Sequence, residues 1–327
     1  MLKNILLTGA FGNVGISTLN ELLKKKYDIT LFELNTIRNR RIARKYKKYP
    51  NVSVVWGDLR EKESIRSSII GKDIVIHVGA IIPPLADLRP KLAQEVNVGG
   101  TENILSVIRE DSPNTKILFT SSIAVYGDRV RNPFIKKTDK LHPSKNDHYA
   151  ETKIQAENLI KNSGVTYAIF RLTYIIEPYR VALDPLMFKM PLETCIEPAH
   201  TKDVGLAICN ALDTSEDFWD NVYHIAGGEK CRITFKGYLD DMTEIFGLGR
   251  GLLPPTAFAK DGYHCGYMDT TESENILHYQ RHSLKDIYGS IRKRFAFIRI
   301  MAMVFRLSIR HYLLSKSTYY KLATAKP

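Results

Sequence analysis

The chain has 327 residues, 44% of them hydrophobic, and its 47 Lys and Arg against 35 Asp and Glu leave a formal net charge of +12. A chain of this length and apolar content buries a sizeable core, as one large domain or two unequal lobes. Its four cysteines, Cys195, Cys209, Cys231 and Cys265, are scattered with no Cys-x-x-Cys, which argues against a disulfide framework or a zinc site and suits a reducing cytosol.

In chain order, residues 3–8 read as a short buried strand. The apolar run is that strand and not a signal peptide, because it passes straight into Gly9-Ala-Phe-Gly12-Asn13-Val14-Gly15. A helical run through Leu19, Leu22 and Leu23 follows. A glycine turn between strand and helix lets the backbone approach a pyrophosphate, and the helix N-terminus adds free N–H groups and a positive dipole end. The spacing is Gly-x-x-Gly-x-x-Gly, unlike the Gly-x-Gly-x-x-Gly of other dinucleotide folds.

The second strand, residues 29–33, ends in Glu33. An acid roughly 20 residues past the glycines can accept hydrogen bonds from an adenosine ribose. A carboxylate there repels a 2′-phosphate, which favours NAD over NADP, although Arg38, Arg40 and Arg41 stand close enough to bind that phosphate. These arginines open a basic run to Lys48, read as the solvated face of the next helix. No nucleic-acid-binding module accompanies it, so a nucleic-acid partner is disfavoured. A third strand, residues 52–56, leads into Gly57-Asp58-Leu59, where Asp58 suits either an adenine amino group or the cap of the following helix.

Residues 117–122 form an apolar strand that ends in Ser121 and Ser122, and a serine at a strand end can bond a substrate oxygen. Then comes Tyr149-Ala-Glu-Thr-Lys153, which puts a phenol and an ammonium on one helix face. A tyrosine of pKa ~10 is a poor base at neutral pH. A lysine one turn away is expected to lower that value by favouring the phenolate. His77, His148 and His200 show no ligand spacing, and no metal site is expected.

Taken together, these residues resemble the extended branch of the short-chain dehydrogenase/reductase superfamily, the NAD-dependent epimerase/dehydratase family. The match covers about residues 1–230 and includes, in order, Gly9/Gly12/Gly15, Gly57-Asp58-Leu59, His77-Val78-Gly79-Ala80, Asn97 to Asn103, Ser121-Ser122, Tyr126-Gly127, Tyr149/Lys153 and Arg171-Leu172. The resemblance implies that Ser122 holds the substrate hydroxyl or keto group and that Tyr149 moves the proton. It implies that Lys153 binds the nicotinamide ribose and tunes the tyrosine, and that Asn97 belongs to the cofactor shell. Further cofactor contacts are implied for Asn13, Val14, Asp58, Leu59, Val78, Gly79, Ala80 and Thr173. Departures from the family pattern are informative. Ile123 and Ala124 replace the Asp-Glu pair of its 4,6-dehydratases, which counts against dehydration. Tyr174, Glu197-Pro198 and a short stretch between Arg171 and His200 weigh against a UDP-sugar substrate.

The expected fold is α/β, a Rossmann-type doubly wound parallel sheet with right-handed crossovers and a small C-terminal substrate lobe. Residues 1–175 would hold the NAD-binding domain, with sheet elements returning at about 195–230. Residues 176–290 would form the substrate lobe, and 291–327 an appended basic-apolar helix and tail. In that helix Arg292, Arg299, Arg306 and Arg310 fall on one stripe. They interrupt any stretch long enough to span a bilayer. The helix therefore packs on its own core, meets a second subunit in a homodimer, or lies on a membrane surface through residues 291–314.

The expected function is NAD-dependent oxidoreduction of a secondary alcohol or sugar hydroxyl. The alternatives are a nucleotide-sugar epimerase with the same chemistry and a non-catalytic dinucleotide-binding protein at a membrane. The expected partner is a small-molecule substrate, and the expected location is the cytoplasm, with a peripheral place at the inner face of a membrane left open.

Overall fold

The computed structural model describes residues 2–179, 185–260 and 262–325. Residues 180–184 and 261 of the expected lobe, and the last two of the tail, lie outside the described residues. Seven strands build one sheet: β1 (Lys3–Thr8), β2 (Tyr27–Glu33), β3 (Val52–Trp56), β4 (Ile74–His77), β5 (Lys116–Ser122), β6 (Tyr167–Leu172) and β7 (Asn221–Ile225). Their order across the sheet is β7-β6-β5-β4-β1-β2-β3, and every pairing is parallel. The order reverses between β1 and β4, the point where doubly wound sheets open a crevice at the carboxyl ends of their strands.

The helices are α1 (Asn13–Leu22), α2 (Ile37–Ala43), α3 (Lys62–Ile69), α4 (Gly100–Asp111), α5 (His148–Lys161), α6 (Thr201–Ala211), α7 (Phe235–Ile245), α8 (Leu284–Val304), α9 (Arg306–Lys316) and α10 (Thr318–Thr324). A parallel sheet covered on both faces needs strands apolar on both faces. In β1, Ile5 and Leu7 face the layer of α1 and α6, while Leu6 faces the layer of α3, α4 and α5. In β5, Leu118 points to the first layer and Ile117 and Phe119 to the second.

A separate core lies beyond β6. Phe188, Phe235, Met242 and Leu253 pack there with Ile287 and Ile291 of α8. The C-terminal segment departs from expectation. It is not one helix starting at 291. A capping box of Ser283 and Asp286 starts α8 at Leu284, inside the lobe, and the chain breaks at Phe305, where φ −95° and ψ 18° leave helical geometry. Past Ile291, α8 buries only Ala302, and α9 returns through Leu313 and Leu314. The lobe's own core therefore holds part of the segment, and Ser317 Oγ donates to the Ala257 carbonyl at 2.6 Å.

The contact between α1 and α6 depends on a missing side chain. A Cβ on Gly205 would stand 2.5–2.7 Å from the backbone of Ser17 and Thr18. Gly→Ala inside a helix ordinarily gains up to about 1 kcal/mol in propensity, but backbone cannot yield as a side chain can. Gly205→Ala is expected to destabilise the protein by about 1–3 kcal/mol, the range for overpacking. Urea unfolding followed by circular dichroism checks the sign.

Candidate active site

A cleft of about 870 Å³ opens across the carboxyl ends of the strands. Going along the sheet, its walls come from Glu33 after β2, the glycine turn after β1, Val78-Gly79-Ala80 after β4, Ser122 after β5 and Thr173 after β6. Gly9, Gly12, Asn13, Val14, Asp58, Leu59, Tyr149 and Lys153 also line it. Of the sequence-predicted residues, only Gly15 and Asn97 stay outside.

The glycines divide their work. Gly9 has φ +67°, and a Cβ there would stand 2.6 Å from Gly79 Cα. A Cβ on Gly15 would overlap the Gly9 carbonyl, so Gly15 lets α1 fold back on the turn and does not face a ligand. A Cβ on Gly12 would meet only the Gly9 oxygen, at 3.3 Å, on the side that lines the cleft. Gly12 is also the N-cap of α1, with no side chain over the first-turn N–H groups. Bare N–H donors beside a Cβ-free wall suit a pyrophosphate, so the residues present fit a dinucleotide.

Glu33 lines the cleft, but both its oxygens are engaged. One accepts from the Phe11 N–H at 2.7 Å and the other from Asn39 Nδ2 at 3.1 Å. Burial pushes its carboxyl up, against the pull of the Phe11 N–H and the nearby Arg38. Of the three arginines that follow, Arg38 alone lines the cleft, where Nη2 donates to the Phe11 carbonyl at 3.2 Å. Asp58 neither caps α3 nor stands free, since the N-cap of α3 is Glu61. Its carboxylate takes Arg60 Nη2 at 2.6 Å, and that ion-paired hydrogen bond holds it below the usual carboxylate range. Asn97 is a clamp. Oδ1 accepts from the Ile81 N–H at 2.7 Å, and Nδ2 donates to the Ile81 carbonyl at 2.9 Å and to Thr152 Oγ1 at 3.0 Å. It ties the loop after β4 to α5.

The chemical end lies on α5 and the end of β5. Asp147 caps α5 by accepting from the Ala150 N–H at 2.9 Å. Ser122 and the Tyr149 phenol stand together on the cleft wall, and Ser122 Oγ also accepts from the Ala124 N–H at 3.2 Å. Lys153 is buried, with Nζ donating to the Thr120 carbonyl at 2.8 Å, 4.5 Å from the Phe119 ring centre and 5.8 Å from that of Tyr149. The expected lowering of the tyrosine is not found. Burial pushes Tyr149 up to about 12, against the pull of the neighbouring Ser122. The reason lies one turn on: burial pulls Lys153 down to about 7, so at neutral pH the amine has lost much of the charge that would favour a phenolate. Ser121, adjacent to Ser122, also lines the cleft but donates to Glu157 at 2.7 Å.

Among the wall residues that escaped the sequence reading, three come from the lobe. Tyr263, His264 and Cys265 come from a lobe loop with no motif, far along the chain. His264 Nδ1 pairs with Asp147 at 2.8 Å, which links that loop to the cap of α5. The other histidines serve the fold or the surface. His77 is buried between Thr8 and Thr101, and burial pulls it to about 3. His148 sits at the surface beside Glu151, and His200 caps α6.

A doubly wound sheet with a glycine turn at its switch point and a Ser/Tyr/Lys group in the same cleft is the arrangement that the family resemblance of the sequence led one to expect. The NAD dependent epimerase/dehydratase family matches residues 5–226, and the chain belongs to it. The N-acetyl-alpha-D-glucosaminyl-diphospho-ditrans,octacis-undecaprenol 4-epimerase of Escherichia coli O157:H7 is 31% identical over 163 residues, 49% of this chain and 44% of that protein. A 3-beta-hydroxysteroid dehydrogenase of Mycolicibacterium neoaurum is 26% identical over 167 residues, 49% of this chain and 43% of that protein. The chain thus spans less than half the length of these relatives. A Bacillus cereus UDP-glucuronic acid 4-epimerase mutant, solved with NAD and a fluorinated UDP-sugar, superposes with a TM-score of 0.74 at 18% identity, over 90% of this chain and 99% of that one. The dTDP-glucose 4,6-dehydratase DesIV of Streptomyces venezuelae, with NAD, gives a TM-score of 0.74 at 20% identity, over 91% and 98%. At these identities the structures establish the shared fold.

Glu157, fully buried, anchors α5 to β6. Arg171 donates to its two oxygens at 2.9 and 2.6 Å, and Lys161 reaches it at 3.0 Å. Burial raises this carboxyl, but the Arg171 and Lys161 cations outweigh that and hold it below the ordinary value. A depressed folded-state carboxyl contributes stability above its unfolded pKa and loses it as pH falls through the folded value. Glu157→Gln is expected to cost roughly 3–5 kcal/mol near neutrality, since Arg171 is left buried and unpaired. The gap to the wild type should narrow as pH falls below about 4.3, the unfolded value for Glu. Urea midpoints of both proteins from neutral to acid pH test this.

Proposed function

We propose that the protein is an NAD-dependent oxidoreductase that acts on a secondary alcohol or a sugar hydroxyl. The gathering of Ser122, Tyr149 and buried Lys153 in one cleft with the glycine turn carries the reading. NAD, when bound, supplies the hydride acceptor or, reduced, the donor. The chain's own groups handle the proton. Ser122 holds the substrate oxygen beside the phenol. In the reducing direction Tyr149, protonated at neutral pH, gives its proton to the carbonyl oxygen as that oxygen gains charge. In the oxidising direction Tyr149 first releases its own proton to solvent, and the phenolate so formed, favoured by a charged Lys153, takes the hydroxyl proton. The first turn of α1 fits the pyrophosphate and Glu33 the ribose.

The same groups serve epimerisation if the keto product stays, turns over and is reduced on its other face. That reading draws support from 4-epimerases among the similar proteins, two of them described above. Dehydration is not part of the reading, because Ile123 and Ala124, buried and apolar, provide no acid. Tyr174, Tyr263, Cys265, Ile82 and Leu92 make the substrate end of the cleft largely apolar and aromatic, which suits an alcohol carried next to a hydrophobic group. The assembled Ser122/Tyr149/Lys153 set counts against a purely binding role. The proposed setting is the cytoplasm, in keeping with four unpaired thiols.

Tyr149→Phe should lower turnover by about 10²–10⁴-fold, the range for a lost proton-transfer group, while NAD affinity by calorimetry stays within about twofold of wild type. A mutant of full activity would sink the assignment. Net formation of reduced cofactor identifies the dehydrogenase; inverted product without it identifies the epimerase.

Glu33 should make NADP bind at least about tenfold more weakly than NAD, a difference of about 1.4 kcal/mol. Glu33→Ala should narrow the gap, because it removes the repulsion and leaves Arg38 at the same wall. Equal binding of both cofactors by the wild type would refute the expectation and assign the phosphate to Arg38.

A further inference from the structure

The outer side of α8 and α9 carries a cluster of exposed large apolar side chains. Phe297 is 84% exposed, Ile300 66%, Val304 73% and Leu307 79%, and Met301, Met303 and Phe305 are each at least half exposed around them. Phe297, Ile300 and Val304 recur at helical spacing on one side of α8, and Leu307 continues the row past the break. A contiguous apolar surface of this kind marks a contact that the isolated chain does not satisfy.

The charge around it is one-sided. Residues 287–327 contain nine Lys and Arg and not one Asp or Glu, three quarters of the chain's net +12. Arg292, Lys293 and Arg294 stand exposed one turn before Phe297. Most of the arginine stripe lies on the lobe side. Arg299 and Met303 pack against Gly247, Arg306 lies near Gly249, and Arg310 Nε donates to the Leu252 carbonyl at 2.9 Å. Three of its arginines thus flank the apolar row on the lobe side, which leaves the row itself uncharged and outermost.

We propose that this row docks on the surface of an anionic lipid bilayer, with Phe297, Ile300, Val304 and Leu307 entering the acyl boundary and the flanking cations at the headgroups. A second copy of the chain fits less well. A two-fold pairing of this face would set two all-cationic segments against each other, with no carboxylate in either segment to match the other. Among the described residues no helix is long and apolar enough to cross a membrane, so the attachment is peripheral. The inference does not depend on the redox reading.

The test is co-sedimentation of the full chain with phosphatidylcholine vesicles, with and without phosphatidylglycerol. Binding should be at least about tenfold stronger with the anionic lipid and should persist in part at physiological salt, where a purely electrostatic contact is screened. Phe297→Gln/Ile300→Gln/Val304→Gln/Leu307→Gln changes only exposed side chains. It should lower binding at least about tenfold while thermal unfolding and cofactor binding stay at wild-type values. Arg292→Glu/Lys293→Glu/Arg294→Glu should remove the preference for anionic lipid. The proposal is overturned if the wild type stays in the supernatant at low salt, or if the four-Gln variant binds as well as wild type. It is equally overturned if sedimentation velocity shows a dimer that this variant dissolves, because the row is then a subunit contact.

Discussion

The cleft depends on how closely the backbone of the glycine turn approaches the end of β4. At 2.6 Å from Gly79 Cα there is no room for a Cβ on residue 9, and φ +67° suits glycine there for its own reason. A directed chain of hydrogen bonds holds the two strand ends in place. The Gly79 N–H donates to Thr8 Oγ1 at 3.2 Å, and Thr8 Oγ1 bonds His77 Nδ1 at 2.8 Å. His77 Nε2 meets Thr101 Oγ1 at 3.2 Å, and that hydroxyl donates to the Asn97 carbonyl at 2.6 Å. With His77 held neutral by burial, the network assigns its proton to Nε2. The chain then runs without a break from the glycine turn to the clamp that positions α5.

Helix α5 has a polar inner face, which is unusual for a helix packed on a sheet. Tyr149, Lys153 and Glu157 follow at four-residue steps on that face, and the last two are buried. Buried charge is tolerated only when it is paired and hydrogen-bonded. Glu157 has Arg171, Lys161 and Ser121. Arg171 continues to the Tyr126 phenol at 2.5 Å, and Tyr126 to His224 Nε2 at 2.6 Å. Lys153 has only the Thr120 carbonyl and an aromatic face, so its charge is the weakly held one. The asymmetry is chemically useful. A permanently paired Glu157 fixes the helix, and a lysine near 7 can change its protonation with what lies beside it.

The C-terminal segment divides its apolar residues between two uses. Ile287, Ile291, Ala302, Leu313 and Leu314 complete the lobe core, and those between 297 and 307 stay mostly outside. A helix anchored at both ends and bare in the middle carries its apolar row on a folded support, not on a loose tail.

Much of the sheet domain was legible in the sequence because the relevant signals are local. The apolar runs of β1, β2 and β5, the glycines where strand meets helix and the Tyr149/Lys153 spacing each follow from backbone and helix geometry within a few residues. Those signals sufficed for the Rossmann-type order and for the part of the cleft wall that the motifs supply. Other features were decided by tertiary structure. Gly15 and Asn97 carry motif positions but face the packing, and of the adjacent Ser121 and Ser122, which both line the cleft, Ser121 spends its hydroxyl on Glu157. Tyr263, His264 and Cys265 reach the wall only because the lobe folds back over α5. The helical periodicity of residues 291–314 was visible, but not which side faces the lobe, since the arginines and the aliphatic row compete for the same contact. The sequence by itself determined the fold, the glycine turn and the Tyr149/Lys153 pair, all written in short-range spacing. Only the tertiary structure decided the charge state of Lys153, the substrate wall and the outward face of the tail, because burial and pairing are set by residues distant in the chain.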